Sequence, residues 1–384
     1  MTSSSKFSIL FIVHEDSLTG APILLLNLLD CLEDSPDISY RIVIKNLRGK
    51  LIGEFRKRGK TLFVNDFSKP KNILNRILQF LPIRILLKKI RILKIQNWLN
   101  HSSIVFLNTI TLGDIFKIFR FQGHQKIISY IHELEFASSQ FTSSLNRETQ
   151  IKRSNKILVP CKAVGDYYIE DHSISPDQIR LLPYYIPFGL KEGSNIRVNQ
   201  QGHFRIGMMG SLDWRKGADL LPQLLFSFFS KFPGLPVEFL WKGVQADSLF
   251  LKQIRIELKK LGLEGKMIFE PQNSETDAFF KNIDLFLSLS REDPYPLVVL
   301  EAARYKIPSL CFEKSGGAPE FVEPDAGAAV PFLNLNILSE KIFGYFNNEN
   351  LRKEMGERAY SKWEEIHGNP SKIKTSFLSI LENL

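Results

Sequence analysis

Residues 287–322 read LSLSREDPYPLVVLEAARYKIPSLCFEKSGGAPEFV. The stretch brings together a carboxylate on a loop, a second carboxylate inside an apolar helix, and a Gly-Gly turn before another helix start. The apolar pattern predicts a buried strand over 284–290 and a helix over 297–305, opened by Pro296, a residue suited to a first helical position. Glu301 falls in that helix among Val298, Val299, Leu300, Ala302 and Ala303. A helix apolar nearly all round is buried, and a lone carboxylate there is costly without a partner. Glu301 therefore needs a hydrogen-bond donor, from the protein or from a ligand. Asp293 stands on the preceding loop, about 12 Å away at helix-like rise, so one bound molecule can touch both carboxylates. Downstream, Ser315-Gly316-Gly317-Ala318-Pro319-Glu320 puts two glycines before a proline at a helix start, where backbone amides can close on an anion. Each feature also has a plain structural reading, a Glu that caps a neighbouring loop or a Gly-Gly that only turns the chain.

Outward from this stretch, the chain alternates short apolar runs with helical patterns. In the first half, strands are expected at 7–13, 41–45, 62–64, 104–107, 127–131 and 157–159, with a helix at 21–32. Short buried strands separated by helices imply a parallel sheet with helices on both faces. Residues 188–203, FGLKEGSNIRVNQQGH, are polar and glycine-bearing and read as an inter-domain linker. A second alternating set follows, with strands at 204–209, 237–241, 267–269 and 328–332 and helices at 218–232 and 249–261. Its first turn, Gly210-Ser211-Leu212-Asp213-Trp214-Arg215-Lys216-Gly217, places two adjacent cations just before a helix start, which suits a diphosphate. A solvated turn is the competing reading. Asn369-Pro370 then breaks a helix, and a last amphipathic helix is expected to 384.

A length of 384 residues fits two ordinary domains, and 44% apolar with 11% aromatic residues suffices for their cores. Cys31, Cys161 and Cys311 are far apart and form no C-x-x-C pair, which argues for a reducing compartment and against a metal-thiolate site. The N-terminus runs straight into a short strand without a secretory h-region, and no apolar run reaches spanning length, so a cytoplasmic, soluble or peripheral protein is expected. Charge is uneven. Residues 1–190 hold 26 Lys and Arg against 16 Asp and Glu, a net +10, whereas residues 191–384 carry −1. Between Phe67 and Gly113 there is no acid, while Lys69, Lys71, Arg76, Arg84, Lys88, Lys89, Arg91 and Lys94 alternate with apolar residues. A basic, apolar helical pair broken at Pro82 is what an anionic bilayer surface over 69–97 needs; a domain helix with a solvated basic face is the competing reading. No nucleic-acid motif accompanies the patch, so no nucleic-acid partner is expected.

Asp293-Pro-Tyr-Pro-Leu-Val-Val-Leu-Glu301-Ala302 followed by Gly316-Gly317-Ala318-Pro319-Glu320 resembles the donor-site signature of family 4 (group 1) retaining glycosyltransferases. That signature is an acid, seven residues, a Glu opening an E-A helix, then G-G-x-x-E. The resemblance implies the GT-B fold: α/β, two Rossmann-like doubly wound domains facing across a cleft, with a C-terminal helix crossing back to the first. The domains would be 1–187, acceptor-binding; 188–203, linker; 204–369, nucleotide-sugar-binding; and 370–384, the crossover helix. The departures are Asp293 where the family more often has Glu, Ser211 where it has Arg, and Thr19-Gly20 where it often has Gly-Gly.

On this resemblance, Glu301 accepts the ribose hydroxyls of a nucleotide-diphospho-sugar and Asp293 orients the sugar. Lys216, with Arg215 as the substitute for the missing Arg, and the amides of Gly316 and Gly317 hold the diphosphate. Gly20, in the turn after the first strand, lies near that diphosphate. His132 of the pair His132-Glu133 stands at the reaction centre, with His14 as competitor. The donor would be UDP- or GDP-linked, the acceptor a glycan or lipid-linked hydroxyl, the setting surface-polysaccharide assembly at the inner face of the membrane. No cofactor is implied, and with no D-x-D pair at a strand end, no metal. Rival readings are another GT-B enzyme, an epimerase or phosphorylase, and a module that binds nucleotide or glycan without turnover.

Overall fold

The computed structural model describes residues 5–67, 82–187, 203–272 and 276–384, without the side chains of residues 82–84. The chain forms two compact units, Met1–Tyr185 with Pro370–Leu384, and Ile186–Asn369. Of the linker expected over 188–203, all but His203 lies outside the described residues.

In the first unit, β1 (Phe7–Glu15), β2 (Ile38–Leu47), β3 (Thr61–Asp66), β4 (Ile104–Asn108), β5 (Lys126–Tyr130), β6 (Lys156–Val159) and β7 (Ile179–Leu181) form one sheet, ordered β3-β2-β1-β4-β5-β6-β7. Every neighbouring pair is parallel. Such strands are covered on both faces, which is why β4 is buried along its whole length and reads as an apolar run rather than an alternation. The helix Gly20–Leu32 buries six leucines, Leu24, Leu25, Leu26, Leu28, Leu29 and Leu32, with Pro22 and Cys31. The helix Pro370–Glu382 belongs to this unit as well, where Phe377 is fully buried with its ring 5.8 Å from Phe106 and 6.5 Å from Phe11.

The second unit holds β8 (Phe204–Met209), β9 (Val237–Val244), β10 (Met267–Pro271), β11 (Leu285–Ser288), β12 (Ser309–Phe312) and β13 (Gly327–Val330), ordered β10-β9-β8-β11-β12-β13. All its pairs are parallel too. Its core is mainly leucine, isoleucine and valine, with Phe228, Phe239, Trp241 and Phe312 buried among them. Two expectations shift in detail. The helix expected over 218–232 starts with a 3-10 turn, Ala218–Leu220, and continues as Leu221–Lys231 with Pro222 in its first turn. The strand expected over 284–290 stops at Ser288, because Leu289 leaves the ladder to pack its carbonyl against Gly217.

Each sheet reverses its winding once, between β1 and β4 and between β8 and β11. At such switch points the crossovers leave in opposite directions and open a crevice outside the carboxyl ends of the strands. The loops after β8 and β11 carry Arg215, Lys216 and Asp293, and the helices that follow β1 and β11 carry Gly20 and Glu301; His132 follows β5, and Gly316 and Gly317 follow β12.

Candidate functional site

At the second unit's switch point, Gly210 turns the chain out of β8 at φ 142°, and Gly217 re-enters a helical turn at φ 70°. A Cβ on Gly217 would lie 2.0 Å from the Leu289 carbonyl oxygen, so the loop after β8 presses directly on the loop after β11. Polar contacts stitch the two together. Arg291 N donates to Arg215 O at 2.8 Å, and the Arg291 guanidinium grips Asp219 at 2.6 and 2.7 Å and donates to Trp214 O at 2.8 Å. Arg215 Nη1 donates to Glu292 O at 3.0 Å and stands 3.8 Å from Asp293 Oδ1. Lys216 Nζ bonds Asp293 Oδ2 directly. Both members of that ion pair are largely buried, so neither charge is stable there alone.

The Gly-Gly turn closes on the same acid. Asp293 N donates to Ser315 O at 2.7 Å, and Asp293 and Gly316 pair as an isolated parallel bridge, with Gly316 at φ 113°. Gly317 corrects an expectation: its N–H, assigned to an anion, donates to Pro294 O at 2.9 Å and so holds the turn. The Gly316 N–H has no partner among the described residues. Asp293, Arg215, Lys216, Gly316 and Gly317 thus form one network.

Glu301 lies in the next helix, Leu297–Arg304, preceded by Pro296 as N-cap. Its carboxylate is partly buried, and burial pushes its pKa from 4.5 up to about 7, with Arg304 opposing the shift and Asp277 adding to it. Among the described residues no hydrogen bond or ion pair reaches it. Arg304, one turn on, is engaged elsewhere. Its guanidinium donates to Pro187 O at 2.8 Å and to the Tyr305 hydroxyl at 3.3 Å, and lies 3.9 Å from Asp277. Glu301 therefore keeps the need for a donor that its sequence setting implies. It makes no bond to Asp293 or Lys216.

In the first unit, Gly20 opens the helix after β1, and His132 follows β5. Asn108, fully buried at the end of β4, links them: its Nδ2 donates to Ala21 O at 2.7 Å and its Oδ1 meets His132 Nε2 at 3.1 Å. That acceptor requires Nε2 to carry the imidazole proton, leaving Nδ1 to accept from the Tyr184 hydroxyl at 3.1 Å. Both nitrogens are used, and burial drives the His132 pKa down to about 3, so the ring is neutral. Glu133 Oε2 accepts from His132 N at 3.0 Å and Ile110 N at 3.2 Å, while burial raises its pKa.

His14, the competitor, holds Nε2 3.6 Å from Glu15 Oε1, and its buried Nδ1 has no partner among the described residues. That contact, with a bond from the Ser17 hydroxyl at 2.5 Å, outweighs burial and lowers the Glu15 pKa to about 2. Asp16 is fully buried and accepts from Arg48 N and Gly49 N at 2.8 and 2.6 Å, which ties the loop after β1 to the loop after β2. Sequence reasoning missed Asn108, Asp16 and Arg291. The one available signal was a polar Asn-Thr pair ending the apolar run IVFL.

A family model described as "Glycosyl transferases group 1" matches residues 194–362. The chain is 25% identical over 191 residues to a mannosylfructose-phosphate synthase of Agrobacterium fabrum, covering 46% of this chain and 41% of that one. It is 19% identical over 215 residues to the lipopolysaccharide core biosynthesis mannosyltransferase LpcC of Rhizobium leguminosarum bv. viciae, covering 54% and 59%. The chain thus spans about half the length of these curated relatives. Its fold is similar to the crystal structure of Anabaena Alr3699/HepE in complex with UDP and glucose, with a TM-score of 0.76 at 17% identity over 98% of this chain and 100% of that one. Over residues 194–362 the chain matches the group 1 glycosyltransferase model, and its two parallel-sheet α/β units with a helical C-terminus have the GT-B fold.

Proposed function

We propose that this protein transfers a hexosyl unit, with retention of anomeric configuration, from a UDP- or GDP-linked sugar to a hydroxyl of a glycan or lipid-linked acceptor. The setting is the assembly of cell-surface polysaccharide at the cytoplasmic face of an anionic membrane. The observation that carries this reading is the Glu301 carboxylate, partly buried and without a protein donor, in the helix that follows the loop of a cation-carboxylate pair at a sheet switch point. A ribose diol supplies two donors to one carboxylate. The relatives' names support the rest: one structure holds UDP and glucose, and one relative is a mannosyltransferase of lipopolysaccharide core biosynthesis.

The resting ion pair gives the site a sequence of events. An incoming diphosphate competes for Lys216 and Arg215, and as Lys216 turns to it, Asp293 is released to accept a sugar hydroxyl. The Gly316 N–H adds a neutral donor. Charge grows on the diphosphate as the anomeric bond breaks, so cations already in place lower the barrier. These cations are side chains, and the reading needs no metal. The acceptor oxygen bonds the anomeric carbon from the face the leaving group vacates, and its proton passes to the departing phosphate. His132, neutral and doubly bonded, serves to position the Gly20 turn through Asn108.

The test is a thermal-shift screen of wild type and Glu301→Ala against UDP, GDP, ADP, TDP and their sugars. A ligand that binds the native state raises its midpoint by mass action. One nucleotide is expected to stabilise the wild type and leave the variant unmoved. No response to any nucleotide would sink the donor site, and binding without sugar release would mark a binding module instead.

A further inference from the structure

The helix Pro82–Asn100 changes character along its length. Near its end Ile95 and Leu99 are buried in the first unit's core, with Ile92 and Trp98 packed against it. This half is an ordinary domain helix, and it removes Ile92 and Ile95 from the surface expected over 69–97; residues 69–81 of that expectation lie outside the described residues. The earlier half is different. Leu86, Ile90 and Leu93 recur at spacings of four and three, which puts them within roughly 60° of one another and roughly opposite Ile95. Leu86 is 56% and Leu93 69% exposed, and Ile85 and Leu87 beside them are exposed as well. By the same period Lys89 borders this stripe on one side and Lys94 on the other, both exposed.

We propose that this stripe, Leu86, Ile90 and Leu93 rimmed by Lys89 and Lys94, docks on an anionic lipid bilayer. Charge decides the occupant. No acidic residue occurs between Phe67 and Gly113, so a second copy packed face to face would oppose lysine to lysine around the apolar centre. An anionic membrane satisfies both parts of the stripe: acyl chains take the leucines while headgroups meet the lysines. No helix among the described residues is long and apolar enough to cross a membrane, so contact by this helix is along its side. The inference rests on the membrane setting of the reading above and names the surface for it, while its test is independent of the transfer chemistry.

The experiment is flotation of the full-length protein with vesicles of phosphatidylcholine, with and without phosphatidylglycerol. Wild type is expected to float with the anionic vesicles and stay behind with the neutral ones. Leu86→Gln/Leu93→Gln should lower the floated fraction about ten-fold, and Lys89→Gln/Lys94→Gln should abolish the preference for anionic lipid. All four positions are exposed, and an unchanged melting midpoint confirms that the variants fold. Wild type that ignores anionic vesicles overturns the proposal, as do leucine variants that float equally well. A dimer of wild type in sedimentation that the leucine variant dissociates, without vesicle binding, assigns the stripe to a second copy. Vesicle binding with a silent nucleotide screen leaves this proposal standing and removes the donor site.

Discussion

Glu301 is a carboxylate whose ionised form the fold penalises, and that has a measurable pH signature. Its pKa rises from 4.5 to about 7 on folding, so the native protein holds this proton more tightly than the unfolded chain. The associated stability is fully present below about 4.5 and is lost as pH rises through about 7. Glu301→Gln has no proton to lose. Its stability relative to wild type should therefore improve by about 2–3 kcal/mol between pH 4 and pH 8, measured by urea denaturation at both. A difference that ignores pH would show that the carboxylate is solvated. Ligand binding makes the opposite demand, since ribose hydroxyls donate to the ionised form. Nucleotide affinity should rise with pH toward about 7 in wild type and stay flat in Glu301→Gln by calorimetry. Lys216 has a complementary signature. If it turns from Asp293 to a diphosphate, Lys216→Met should weaken the bound nucleotide about 10- to 100-fold while moving its nucleoside less than about three-fold. Equal losses for both would place Lys216 away from the phosphates.

At the scale of elements, the loops after β8 and β11 are held in contact by the absence of a side chain. Gly217→Ala must drive a Cβ into the Leu289 carbonyl at 2.0 Å and strain a φ of 70°, whereas Gly234 has a similar φ of 76° with open space around it. The pair separates sterics from backbone preference. Gly234→Ala should cost about 1 kcal/mol and Gly217→Ala about 3 kcal/mol, read from denaturation midpoints. Equal costs would refute the close approach. This contrast also explains what the sequence could reveal. Strands such as β1 and β4 were legible because two-sided burial writes them as apolar runs between turn formers. β12 was not, since Ser309–Phe312 is too short to tell from the end of a helix. The second unit's acid, helix and Gly-Gly turn were legible because they are consecutive in the chain. The Lys216 to Asp293 bond spans 77 residues, and the Asn108, His132 and Tyr184 contacts span 24 and 52, so only the sheet order brings these partners together.

On the scale of the molecule, the two units divide the chemistry as they divide the charge. The first half carries the basic excess and the stripe on helix Pro82–Asn100; the second carries every nucleotide-site candidate but Gly20. Each has its own sheet and core, and the first is completed by the chain's last helix. The Lys6–Glu382 pair on that helix is about half exposed on both sides and contributes little. Phe377 is another matter, because its ring fills the space beside Phe11 and Phe106. Phe377→Ala should cost the first unit about 3–5 kcal/mol through lost burial and the cavity left behind. A nucleotide that binds around Glu301 and Lys216 should stabilise only the second. Calorimetric scans of wild type and Phe377→Ala, with and without that nucleotide, set the two effects against each other. Two transitions are expected, one lowered by the substitution and the other raised by the ligand. A single transition that answers to both would mean that the units unfold together, and that the last helix couples the nucleotide site to the stability of the sheet it completes.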